Sequence, residues 1–263
     1  MNNQQLTPYP TLNHVLNEFA QTLQNTLGSN LIALYLQGSF ALGDADESSD
    51  VDFLAVIEDE LSEAELADLQ AMHARIYDES NSDWARHLEG SYFPGNVFTN
   101  YERVGEPLHY LDNGARQLIR SDHCNQLVER WVVREHGIAL IGPEASQLLE
   151  PVPVDALRKE VWTTMMEWGQ ELLTNRPKWA NRWYQTFIVL SYCRMLQTLE
   201  TGKVHSKLAG VAWGKENLSD EWSNLIQQAW DKRPDPDTTV HHEADPVDLE
   251  RTAQFLAYAL EIG

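Results

Sequence analysis

The chain has 263 residues, 43% of them hydrophobic, enough for one large domain or two ordinary ones with packed cores. Its 40 acidic against 19 basic residues give a net charge of -21, which repels a phosphate backbone and argues against a nucleic-acid binder, while a cationic partner is steered toward it. The longest apolar runs, such as Phe53 to Ile57 and Phe187 to Leu190, fall far short of the ~20 residues that cross a bilayer.

Met1-Asn2-Asn3-Gln4-Gln5 has neither the basic start nor the apolar run of a secretion signal, so a cytoplasmic protein with no membrane partner is expected. Cys124 and Cys193 stand far apart, without a second Cys or a His at metal-ligand spacing, and are expected to be free thiols in cores.

In chain order, Leu12, Val15, Leu16, Phe19, Leu23 and Leu27 recur at helical steps up to Gly28, which predicts an amphipathic helix over 11–28 with a glycine cap. Leu31 to Leu36 reads as a buried strand bounded by Gly38-Ser39, and Val51 to Ile57 as a second, with a loop rich in Gly, Ser and Asp between them. A helix over Leu61 to Tyr77 is followed by a third strand over Arg86 to Phe93, a fourth over Asn96 to Tyr101, and a loop-rich stretch. Gln126 to Glu135 reads as a helix and Ile138 to Ile141 as a last strand.

Pro151-Val152-Pro153 marks a domain boundary, because proline stiffens the connection and stops a helix. Residues 1–150 thus form an α/β or α+β half and 151–263 a helical half. Helices are predicted over Asp155 to Leu173, Trp183 to Glu200, Ser206 to Trp213, Asp220 to Trp230 and Pro246 to Ile262, separated by Pro177, Gly202 and Arg233-Pro234-Asp235-Pro236-Asp237.

The segment Leu36 to Ile57 carries the chemistry. One strand runs into Gly38-Ser39 and the next opens on Ser49-Asp50-Val51-Asp52. Side chains two apart on a strand share a face, so the carboxylates of Asp50 and Asp52 converge while Val51 enters the core. Two convergent carboxylates suit magnesium, which shares its shell with triphosphate oxygens. Gly38 lets the backbone approach phosphate, and Ser39 supplies a hydroxyl and an N–H. An acidic-x-acidic triplet alone is expected several times in so acidic a chain, and the signal lies in the ordered combination.

An attacking hydroxyl needs a base, and Glu89 is the candidate, with Leu88 and Tyr92 facing the core and Gly90 leaving room for ligand. In the helical half Arg194 extends the stripe of Phe187 and Leu190, and Lys207 follows the Gly202 break; both are candidates to bind a triphosphate, with snorkelling to solvent as the alternative. Trp179, Trp183 and Tyr184 are candidates to stack on an acceptor ring, with core packing as the alternative. His241-His242-Glu243 lacks the helical spacing of a zinc site and reads as exposed loop.

These segments resemble the nucleotidyltransferase superfamily that includes DNA polymerase beta, and within it the bacterial aminoglycoside adenylyltransferases that act on streptomycin and spectinomycin. The likeness extends through Leu88-Glu89, Arg134 to Pro143, the Pro151-Val152-Pro153 junction, and Arg194 through Thr201-Gly202-Lys203 to Ser206-Lys207. It implies an N-terminal nucleotidyltransferase domain of mixed sheet and helices and a C-terminal all-α bundle, an α+β protein with ATP and drug in the cleft between them.

Carried over, the resemblance makes Asp50 and Asp52 the magnesium ligands and Glu89 the base. Gly38, Ser39, Ser49, Arg194 and Lys207 become holders of ATP. Streptomycin-modifying members use a tryptophan in the N-terminal domain and an aspartate near the start of the arginine-bearing helix. Here Trp183 and Tyr184 stand near the second place, and no clear tryptophan lies between Tyr101 and Gln117, which favours spectinomycin. The expected activity is transfer of AMP to a hydroxyl of an aminoglycoside or aminocyclitol by a monomer. The alternative acceptor is a protein or another small molecule.

Overall fold

A computed structural model describes residues 6–233 and 242–263. The N-terminal pentapeptide, the Pro234 to Asp237 separator and His241 of the His-His-Glu stretch lie outside the described residues. The chain divides into two compact units, one comprising Met1–Ala45 with Ser49–Val152, the other Pro153–Gly263 with Asp46–Ser48.

In the first unit, helix α1 (Pro10–Leu27) buries Leu12, Val15, Leu16, Phe19, Leu23 and Leu27, the predicted stripe, and Gly28 follows at φ 53°. Strand β1 (Leu31–Leu36) leads into a short helix, α2 (Gly38–Leu42), where the sequence suggested only a loop. Strand β2 (Val51–Ile57) precedes α3 (Glu63–Glu79), which Ser62 and Glu65 close with reciprocal side-chain to backbone bonds, a capping box. Strand β3 spans Leu88–Pro94, two residues later than expected at its start, because Arg86 belongs to a 3-10 turn.

The expected strand over Asn96 to Tyr101 is instead a helical turn, α4 (Gly95–Phe98). Short apolar runs such as Val97-Phe98 do not distinguish strand from helix by pattern. Here Thr99 Oγ1 donates to Gly95 O at 2.9 Å. The fully buried Arg130 guanidinium donates to Val97 O and Asn100 O at 2.9 and 3.1 Å. The stretch read as loop contains a hairpin, β4 (Leu108–Leu111) and β5 (Leu118–Ser121). Helix α5 (Leu127–His136) and strand β6 (Ile138–Ile141) complete the unit close to expectation.

The strands form one sheet in the order β5-β4-β3-β2-β1-β6, with β2 and β3 parallel and the other pairs antiparallel. Alternation sends Val51, Phe53, Ala55 and Ile57 into a core with α1 and α3, whereas Leu54 and Val56 pack on the opposite face with Phe93, Phe98 and Val133. Both faces are covered along most of β2, and its polar positions fall at the end that opens the strand.

The second unit is helical among its described residues: α6 (Val154–Thr174), α7 (Arg182–Thr201), α8 (Lys207–Asn217), α9 (Ser223–Asp231) and α10 (Pro246–Ile262). Tyr192, Cys193, Ile188, Ile226, Phe255 and Leu256 fill its core, and the Tyr192 hydroxyl donates to Met165 O at 2.8 Å. The chain is an α+β protein with a mixed sheet followed by a helical region. Both cysteines are buried free thiols, as expected. No described helix is long and apolar enough to cross a membrane.

Gly90 corrects the sequence reading. It lies on the core face of β3, and a Cβ there would stand 2.1 Å from Phe53 O and 2.7 Å from its ring, so the missing side chain makes room for Phe53 and not for a ligand. Backbone on a central strand yields little, and Gly90→Ala is expected to cost about 3 kcal/mol or more. Urea unfolding monitored by tryptophan fluorescence checks this; an unchanged midpoint would refute it.

Candidate active site

The site grows out of the β2–β3 pairing. In the parallel register Val51 stands beside Leu88 and Asp52 beside Glu89. Neighbouring strands lie about 4.8 Å apart, so both carboxylates emerge from adjacent positions on one face. Asp50 precedes β2 on the same alternation, and its Oδ1 accepts from Asn113 Nδ2 at 2.5 Å. The structure thus sets Asp52 and Glu89 side by side, with Asp50 two residues before Asp52.

Gly38 sits directly against this group. It adopts φ 60°, and a Cβ on it would fall 1.8 Å from Asp52 Oδ2, so only glycine admits both the turn and the carboxylate. Asp52 O also accepts the backbone N–H of Gln37 at 2.8 Å, tying the loop to the strand that bears the acid. Ser39 lies in the first turn of α2, half-buried, and Ser49 is buried just before Asp50.

Further polar residues surround these carboxylates, beyond those expected from sequence. Tyr110, on β4 opposite Ser91, donates its hydroxyl to Glu89 Oε1 at 2.5 Å and lies 3.0 Å from Asp112 Oδ1. Burial, then the bond to Glu89, raises its pKa far above the ordinary tyrosine value, which keeps it a donor. His123 Nε2 lies 3.4 Å from the same Oε1, and the interaction with this carboxylate raises the imidazole pKa against the opposing effect of burial. Asn113, which serves Asp50, also meets His87 at 3.3 Å. Only the pairing of β4 with β3 could have revealed Tyr110, and four-residue strands give too little alternation to be read from sequence.

In the helical unit Arg194, midway along α7, donates from Nε to His205 O at 2.9 Å, two residues before Lys207 opens α8 behind the Ser206 cap. The Arg194 side chain is thus held against the segment that leads into Lys207. Trp179 does not fit the stacking role. It is fully buried, and its Nε1 donates to Leu172 O at 2.7 Å, so it is a core residue. Trp183 and Tyr184 remain half-buried, with Trp183 stacked on Phe187 at a centroid distance of 4.9 Å and Tyr184 edge-on to it. His242 and Glu243 are exposed, and Arg182 N–H donates to His242 O at 3.0 Å.

A glycine loop feeding a strand that opens on paired aspartates, with a glutamate in register on the next strand, is a nucleotidyltransferase arrangement, and the nucleotidyltransferase domain model matches residues 16–95. Residues 147–258 match the model described as aminoglycoside adenylyltransferase, C-terminal domain. The chain is thus similar to nucleotidyltransferases over its first segment and to the C-terminal domain of aminoglycoside adenylyltransferases over its second.

Among curated relatives, an aminoglycoside (3'') (9) adenylyltransferase of Klebsiella pneumoniae is 31% identical over 96 residues, 36% of this chain and 34% of the relative. A spectinomycin 9-adenylyltransferase of Staphylococcus aureus is 27% identical over 232 residues, 81% of this chain and 83% of the relative. The chain thus spans about a third of the length of the first relatives and most of the second. A crystal structure of spectinomycin adenyltransferase from Enterococcus faecialis with ATP and spectinomycin shares the fold, with a TM-score of 0.66 and 19% identity over 94% of this chain and 98% of that one.

The contrast between the two tryptophans is measurable. Trp179→Ala, which empties a fully buried site and orphans a backbone carbonyl, is expected to destabilise by about 3–5 kcal/mol. Trp183→Ala, half-exposed, is expected to cost about 1 kcal/mol. Equal losses in thermal or urea unfolding would contradict the assignment of Trp179 to the core.

Proposed function

We propose that this protein transfers AMP from ATP to a hydroxyl group of an aminoglycoside or aminocyclitol antibiotic, releasing pyrophosphate and conferring resistance, with spectinomycin favoured over streptomycin as acceptor. The observation that carries the reading is the register of Asp52 beside Glu89, with Gly38 packed against the Asp52 carboxylate. The family match over 147–258 supports a drug as acceptor, and the net charge of -21 suits a polycationic one.

Asp50 and Asp52 fit a magnesium ion: they are hard oxygen donors on one strand face, beside a glycine loop whose missing side chain keeps the space at Asp52 open. When bound, the cation would neutralise charge on the triphosphate and on the departing pyrophosphate. Backbone N–H groups at Gly38 and Ser39, the Ser39 and Ser49 hydroxyls, and the cations Arg194 and Lys207 are assigned to holding the triphosphate. Glu89 accepts the proton of the attacking hydroxyl as that oxygen bonds to the α-phosphorus and the bond to the β-phosphate oxygen breaks. Trp183 and Tyr184 offer partly exposed rings to the acceptor. The units spanning 1–150 and 151–263 are assigned as nucleotidyltransferase and drug-side domains, acting in a monomer.

Pyrophosphate release from Mg-ATP, measured with spectinomycin, streptomycin and a kanamycin-type drug, tests the proposal. Release with one drug, reduced at least about a hundredfold in Glu89→Gln, is expected; a folded protein that releases none with any drug would overturn it. Gly38→Ala is expected to lose about 1–2 kcal/mol of stability to its left-handed backbone. It is also expected to weaken Mg-ATP binding about tenfold or more by displacing Asp52, as read by calorimetry.

A further inference from the structure

Two contacts around Glu89 are unequal in a way that assigns different work to its two oxygens. Tyr110 Oη and His123 Nε2 both approach Oε1, at 2.5 and 3.4 Å, and among the described residues no hydrogen bond reaches Oε2. The carboxylate is largely buried, with 14% of the side chain exposed, so water does little to compensate for that asymmetry. An oxygen that accepts the Tyr110 hydroxyl and faces the His123 imidazole is a poorer proton acceptor than one that no donor reaches, and Oε2 keeps its lone pairs for substrate.

We propose that Tyr110 and His123 are positioning residues that anchor Oε1 of Glu89 and thereby present Oε2 as the atom that takes the proton from the acceptor hydroxyl. The proposal rests on reading Glu89 as the base. A glutamate carboxylate rotates broadly about its last torsion. Fixing one oxygen fixes the plane of the group, and a base aimed at the hydroxyl avoids the loss that misplacement brings.

The architecture supplies both anchors. Tyr110 comes from β4, whose antiparallel register with β3 sets it opposite Ser91, two residues from Glu89 on the same face. His123 follows β5, and its ring packs 5.2 Å from that of Tyr110, so each anchor supports the other. In the reaction the acceptor oxygen bonds to the α-phosphorus, the bond from that phosphorus to the bridging oxygen breaks, pyrophosphate leaves, and the hydroxyl proton ends on Oε2.

A double-mutant cycle separates positioning from a general structural effect. With Mg-ATP and whichever drug the wild type modifies, Tyr110→Phe is expected to lower kcat about tenfold with KM for ATP unchanged, and to cause no further loss in a Glu89→Gln background. His123→Gln, whose amide nitrogen can stand where Nε2 stood, is expected to keep most of the activity that His123→Ala loses. Additive losses in the cycle, or His123→Gln as impaired as His123→Ala, would overturn the proposal. Full activity of Glu89→Gln alone would instead overturn its role as base, a separate outcome.

A second arm needs no acceptor. Crystal structures of the wild type and Tyr110→Phe are expected to differ in the Glu89 carboxylate, ordered in the first and rotated or in two conformers in the second. An unmoved carboxylate in Tyr110→Phe would overturn the proposal even if no drug is modified.

Discussion

The parallel pairing of β2 with β3 is the constraint on which the site depends. Asp52 and Glu89 are neighbours because Val51 is aligned with Leu88 and Phe53 with Gly90, and those three apolar side chains are buried beneath the carboxylates. A slip of one residue would turn Glu89 into the core and Leu88 out of it, so the cost of burying an unpaired carboxylate fixes the register. Gly90 sharpens that choice, since its position over Phe53 tolerates no side chain. Core packing on one face of the sheet thereby sets the geometry of the carboxylates on the other.

Collecting Asp50, Asp52, Glu89 and Asp112 at one end of a sheet works against stability, because like charges in a partly desolvated place repel. The fold offsets this with neutral donors: Tyr110 serves Glu89 and approaches Asp112, and Asn113 serves Asp50. His123 adds a group whose positive form the neighbouring Glu89 favours. Such an arrangement concentrates negative charge at one end of the sheet. It is a local departure from the rest of the unit, where the largest buried side chains are mainly aromatic and aliphatic.

The helical unit divides its aromatic residues by depth. Trp179 and Tyr192 are core members whose polar atoms are satisfied by carbonyls of α6. Trp183, Tyr184 and Phe187 form a half-buried group at the start of α7. Helical spacing places Trp183 and Phe187 on one face, four residues apart, and cannot say which side of that face meets a core.

The sequence by itself determined the long elements and the acids. The stripe of α1, the limits of α10, the strands β1, β2 and β6, and the Asp50-Val51-Asp52 alternation follow from periodicity and capping, which are local. The tertiary structure alone decided the rest. It made a helical turn of Gly95–Phe98 through carbonyls bound by the distant Arg130. It formed the β4–β5 hairpin by pairing with β3, which brought Tyr110 to Glu89. It also placed Trp179 in the core and Gly90 over Phe53. In each case the deciding partner lies on another element, and the spacing of residues along one chain segment carries no information about which element will pack against it.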